Sequence, residues 1–176
     1  MSPRTPDRWS LVSPPFSVAR CKISGWKCAL DFWPLFPLIN DEGGIKGREV
    51  VLLSRDDGYE PDKAVRNTKE LISSDQVFAL IGAVGTPTAK AVVPIVNEAQ
   101  IPFFGPFTGA EILRSPFQRY IINVRASYYE ETEKLASYLV DGKKFRRIAC
   151  FYQNDSYGYD GLRGIDPALS RRNLED

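Results

Sequence analysis

Residues 77–110, VFALIGAVGTPTAKAVVPIVNEAQIPFFGPFTGA, decide how this chain reads. Residues 77–81 are a short apolar run bounded by turn signals, the pattern of a strand buried on both faces of a parallel sheet. Gly82 and Gly85 allow a sharp turn. Thr86-Pro87 then places a capping hydroxyl just before a proline, the favoured opening of a helix. Such a helix points free backbone N–H groups and a partial positive charge beyond the strand ends, surroundings that suit a carboxylate. Residues 101–104 read as the next strand, and 105–109, GPFTG, as the turn leaving its carboxyl end. Two turns with one threonine each thus lie side by side where open α/β sheets bind ligands. Thr86 and Thr108 are expected to face each other across that edge.

The same alternation extends to both sides. Asp41 to Gly47 form a glycine-bearing loop that closes a helix and launches residues 49–54 as a strand. Arg55-Asp56-Asp57-Gly58 follows it. Paired carboxylates can do acid–base work or hold a metal, but neighbours at a strand end point apart, so loop capping is the reading. A helix opens at Pro61 and runs to about Ser73, with Ala64, Val65, Thr68, Leu71 and Ile72 on one face. The helix after Pro87 buries Ala91, Val92, Ile95, Val96 and Ala99, and Pro94 inside it predicts a kink or an early end. Residues 120–124 read as a strand and 129–140 as a helix with Thr132, Leu135, Ala136, Leu139 and Val140 inward. Residues 147–152 read as a further strand, Pro167 as an interruption of the helix after it, and 171–176 as a charged tail. Strand and helix alternating in this way predict an α/β fold with a parallel sheet flanked by helices.

Composition narrows the chemistry. The 176 residues suffice for one good core or one and a half small domains, and 23 Lys+Arg against 22 Asp+Glu leave a net charge of +1. That balance gives no electrostatic reason to expect nucleic acid or a membrane surface. Histidine is absent, which removes Ser-His-Asp and Cys-His catalysis and every histidine metal site. Residues 82–90 lack the Gly-Lys-Ser/Thr ending of a phosphate-binding loop, and no nucleophile has a visible base, so an enzyme is a poor reading. Cys21, Cys28 and Cys150 form no CxxC pair. Cys150, within an apolar run, reads as a small buried hydrophobe, while Cys21 and Cys28 could pair. No stretch approaches the ~20 apolar residues that span a bilayer, and the amino terminus has no continuous apolar core of a secretory signal.

Five segments in order, INDEGGIKGREVVLLSRDDGYEP, IGAVGTPTAKAVVPI, IPFFGPFTGA, NVRASYYEET and RRIACFYQNDSYGYDGL, resemble the type I periplasmic solute-binding proteins of the leucine/isoleucine/valine kind, the soluble receptors of ABC importers. The resemblance covers roughly residues 39 to 165. It implies a periplasmic-binding-protein type I fold of which this chain holds most of the first lobe, 39–124, then a hinge crossover and the start of a second lobe, 125–176. Residues 1–38, rich in proline and tryptophan, match nothing in that pattern: the first strand, ligand loop and helix expected there are not legible. A frame-shifted stretch and a divergent, poorly ordered arm are the two explanations.

The resemblance further implies a ligand carboxylate held by the Thr86 hydroxyl with Gly85 beside it, a second turn carrying Phe107 and Thr108, a hinge and cleft wall at Arg125 to Tyr128 that includes Ser127, and Tyr157 closing over the ligand from the second lobe. An ammonium partner would lie deeper in that lobe. No cofactor or metal is implied. The partners are a small amino-acid or amide ligand and ABC permease subunits, and the expected location is the periplasm. Two other readings stay open: a cytosolic amino-acid or amide sensor with the same fold, and a non-functional gene fragment.

Overall fold

The computed structural model describes residues 8–13, as backbone, and 35–174. The possible Cys21–Cys28 pair and the sequence reading of the amino-terminal arm otherwise lie outside the described residues. Elements run in the order β1 (Arg8–Ser13), α1 (Leu35–Asp41), β2 (Glu49–Ser54), α2 (Pro61–Ser73), β3 (Ala79–Ile81), α3 (Thr86–Ala99), β4 (Phe103–Phe104), a 3-10 turn (Glu111–Leu113), β5 (Ile121–Ile122), α4 (Tyr128–Ala136) and α5 (Ser156–Ser170). Beyond Ala136, α4 continues as a π-helical turn, Ser137–Gly142.

Among the described residues all five strands are parallel, in the order β2-β1-β3-β4-β5. The strand that the sequence did not yield, β1, therefore lies between β2 and β3, paired with Glu49–Ser54 on one side and with Ala79 and Leu80 on the other. The chain moves outward from β1 to β2 and in the opposite direction from β3 to β5. This reversal places a crevice at the carboxyl ends of β1 and β3.

The core lies between the sheet and helices α2 and α3. Leu80, Phe103 and Ile121 from three strands meet Val92, Val93 and Val96 of α3 and Ala64 and Leu71 of α2. The period of two is plain in the short strands: Phe103 is 1% exposed and its neighbour Phe104 41%, Ile121 7% and Ile122 43%. Double-sided burial, expected for the strand at 77–81, holds for Ala79–Ile81 and not for β4 or β5.

Several expectations need correcting. In α3 the buried line is Ala89, Val92, Val93 and Val96, with Ala99 exposed. Pro94 does not end that helix: its ring lies on the exposed face, where the missing N–H costs one bond and the packing of the buried face continues. Pro167 is likewise carried inside α5. Leu135 is exposed, and Ala136 and Val140 carry the inward face.

Residues 147–152 are not a strand. A strand needs a ladder partner for its N–H and C=O groups, and none of the described strands pairs with this segment. Phe151 is fully exposed and Cys150 is an exposed free thiol, not a buried hydrophobe. The charged tail also has an internal role. Arg171 and Arg172 both pair with Glu133, and Arg172 also with Asp141 at 2.9 Å, binding the end of α5 to α4. Asp56 and Asp57 cap their loop as expected, accepting from the N–H groups of Gly58 and Tyr59 at 2.9 and 2.8 Å.

Candidate functional site

The two threonine-bearing turns are joined by the sheet itself. Val84 and Phe107 form a parallel bridge just beyond β3 and β4, and the Phe107 N–H donates to the Ala83 carbonyl at 2.6 Å. The parallel register thus continues past the strands and brings Thr86 and Thr108 together: their hydroxyl oxygens are 2.6 Å apart, and both residues are almost fully buried. Thr86 is not the helix cap that the sequence suggested. Gly85, at φ 106°, is the cap, and Thr86 is the first helical residue. A residue at that φ cannot belong to the helix, and glycine adopts it without strain. The Thr86 hydroxyl is thereby released from backbone duty.

Tyr128 supplies a third hydroxyl, its Oη lying 3.1 Å from Thr108 Oγ1 and 3.5 Å from Thr86 Oγ1. Its position is fixed from both sides. Its N–H donates to the Gly109 carbonyl at 2.8 Å, and a Cβ on Gly109 would lie 2.7 Å from the ring, so only glycine permits this approach. Tyr157, in the first turn of α5, meets the same ring edge-to-face with centroids 5.6 Å apart.

Other candidates fall at varying distance from this centre. Phe107 is 45% exposed and lies beneath the Arg125 guanidinium at 5.1 Å, a cation–π contact. Arg125 also lies 5.5 Å over Tyr128 and pairs with Glu131. Ser127 does not join the cluster. It is the N-cap of α4 in a capping box, its hydroxyl accepting from the Glu130 N–H at 3.2 Å and donating to Glu130 Oε2 at 3.0 Å. The Ser127 N–H, donating to Glu130 Oε2 at 2.8 Å, and after it the Ser127 hydroxyl hold the Glu130 carboxyl below its usual range. These bonds are those of a helix cap.

Two further residues belong to the centre: Tyr128, expected only as part of the cleft wall at Arg125 to Tyr128, and Tyr59, which sequence reasoning did not assign. Tyr59 sits at φ 62°, and its ring occupies the space that a side chain on Gly85 would need. Burial, reinforced by Asp155, Tyr128 and Tyr157, pushes its phenol up to about 12. The available signal was the pairing of a bulky residue in the Asp-Asp-Gly-Tyr turn with a glycine at the helix cap.

Beside this cluster, between the starts of α3 and α5, lies a cavity of about 450 Å³ bordered by Thr86, Lys90, Glu111, Asp155, Asp160 and Arg163. Arg163 stands 3.6 Å from Asp160, whose carboxyl is pushed up by burial and drawn partly back by Arg163 and Lys90. The volume suits a small molecule, and charges of both signs suit a polar one.

A sequence profile described as periplasmic binding protein matches residues 35–175. The chain belongs to the periplasmic binding protein family. Within the family, it is 26% identical over 139 residues to Leu/Ile/Val-binding protein homolog 3 of Brucella melitensis, an overlap of 79% of this chain and 38% of that protein. The crystal structure of a possible leucine/isoleucine/valine-binding protein from Rhodopirellula baltica superposes with a TM-score of 0.88 at 33% identity, over 98% of this chain and 47% of that one. A substrate-binding periplasmic protein from Ralstonia solanacearum gives 0.84 at 26%, over 94% and 47%. The chain therefore spans about half the length of these solved structures and less of the curated relative. The parallel sheet flanked by helices is that of periplasmic binding proteins of type I, and these relatives are named as binding proteins for leucine, isoleucine and valine or for a substrate.

Proposed function

We propose that this chain is part of the substrate-binding component of an ABC-type importer, and that it captures a small carboxylate-bearing ligand, a branched-chain amino acid or a related amide, in the crevice at the carboxyl edge of its sheet. The observation that carries this reading is the buried Thr86–Thr108 hydroxyl pair, 2.6 Å apart beside a 450 Å³ cavity. The names of the Brucella and Rhodopirellula relatives support the ligand class. On this reading residues 39–124 form the wall of one lobe, residues 125–176 cross to a second, and Tyr157 contacts the ligand from that side. Closure of the two lobes, a hinge motion that buries the ligand, is what a periplasmic receptor would present to its permease. The capture is reversible and involves no covalent chemistry.

A thermal melt followed by circular dichroism, with and without millimolar leucine, isoleucine, valine or short aliphatic amides, tests this. A ligand at ~100 times its dissociation constant adds about 2.7 kcal/mol to native stability, and the midpoint should rise with at least one of these compounds. A melt that none of them moves would sink the proposal.

A further inference from the structure

The three buried hydroxyls can be given a direction. A threonine hydroxyl has one proton to give and two lone pairs to fill. Thr108 Oγ1 accepts the Ala110 N–H at 3.2 Å, and Tyr128 Oη lies 3.1 Å away. A phenol is more acidic than an aliphatic alcohol, so in this contact Tyr128 is the better donor. With both lone pairs of Thr108 occupied, its own proton has one acceptor within reach, Thr86 Oγ1 at 2.6 Å. Thr86 then accepts and keeps its proton to give. The return contact to Tyr128 is long, at 3.5 Å, whereas Thr86 itself borders the 450 Å³ cavity.

We propose that Tyr128, Thr108 and Thr86 form a one-way hydrogen-bond relay that holds the Thr86 hydroxyl as a donor aimed at an anionic group in the cavity. Tyr128 and Thr108 are positioning residues for carboxylate recognition, and Thr86 is the contact. Bonds in such a chain polarise one another, so the last hydroxyl gives a stronger bond to a carboxylate than to a neutral amide. The ring of Tyr128 also touches Tyr157, which places the head of the relay between the first turns of α4 and α5. This inference rests on the reading of the crevice as a carboxylate-binding site.

The test compares leucine, isoleucine and valine with their carboxamides by calorimetric titration of the wild-type chain and of Y128F, T108V and T108S. Y128F retains the ring and removes only the first donor. It should weaken the amino acids about fivefold, the value of one hydrogen bond, while leaving the carboxamides unchanged and so narrowing the discrimination. T108V should narrow it at least as much, and T108S, which keeps the hydroxyl, should restore it. Equal losses for acids and amides, or none, would overturn the relay. A wild-type chain that binds none of the six compounds would sink the capture reading and with it the ligand end of the relay. The protein end is decided separately, without ligand: the Thr108 hydroxyl proton should give a slowly exchanging NMR signal with a cross-peak to Thr86, and its absence overturns the assignment.

Discussion

Helices α3 and α4 both open on a hydroxyl residue, yet the two hydroxyls have different work. At α4, Ser127 is the cap and its hydroxyl is held twice by Glu130, through the backbone N–H and the carboxylate. At α3 the cap is Gly85, one residue earlier, and the hydroxyl of Thr86 turns to Thr108. What separates them is the backbone of the preceding residue: Ser127 itself adopts the extended cap conformation at φ −72°, whereas a left-handed glycine supplies it for Thr86. A hydroxyl at a helix start becomes available for a ligand when something else caps the helix.

The strongest way to break this contrast is G85A. An alanine there must hold φ near 106° and displace the Tyr59 ring, and strained backbone of this kind costs of order 1–3 kcal/mol before the ring is counted. A marked fall in thermal midpoint, with Y59A/G85A recovering part of it, is the expected result. An unchanged midpoint for G85A would mean that the glycine is not required.

Next in size is the pair T86V and S127A. The first leaves a buried Thr108 proton without its acceptor, a loss of about 1–3 kcal/mol, and should remove ligand capture. The second removes a cap worth ~1 kcal/mol and should leave ligand affinity as it was. If S127A loses binding while T86V keeps it, the division of labour between the two helix starts is reversed.

The smallest effect is one of pH. Hydrogen bonds from Arg172 and Arg171 hold the Glu133 carboxyl down to about 2, from an ordinary value of 4.5. A carboxyl depressed in the folded state contributes stability that is complete above its unfolded pKa and lost as pH falls through the folded one. The α4–α5 pair should therefore weaken as pH drops from 4.5 towards 2, by a modest amount because Glu133 and Arg171 are open to solvent. Melts across that range should show it, and E133Q should flatten the dependence relative to the wild type.

The sequence carried the fold wherever a segment's own pattern decides its state. Residues 49–54 and 61–73 emerge with the bounds expected, because an apolar run after glycines and a proline-opened amphipathic stretch are each sufficient locally. Arg8–Ser13 is different: RWSLVS, set among prolines, becomes a strand through β2 and β3 on either side, and partners cannot be read from six residues. Residues 147–152 err the other way, a good strand sequence without a ladder. At the site, the threonine pair was legible from the spacing of two turns after two strands. Tyr59 was not, and Tyr128 only as the end of a cleft wall, since each reaches the centre by lying against a glycine distant in sequence.

Among the described residues β2 is an edge strand of the sheet, and one side chain covers part of its outer flank. Asn40 donates its side-chain amide to the Val50 carbonyl and accepts the Val50 N–H, both at 2.8 Å. One side chain thus imitates the next residue of a neighbouring strand, on the flank of β2 that faces away from β1. An open flank is an invitation to any other polypeptide with an extended segment to add itself to the sheet. Among the described residues, Asn40 occupies the Val50 N–H and C=O groups, so a strand added on that flank would find them already paired.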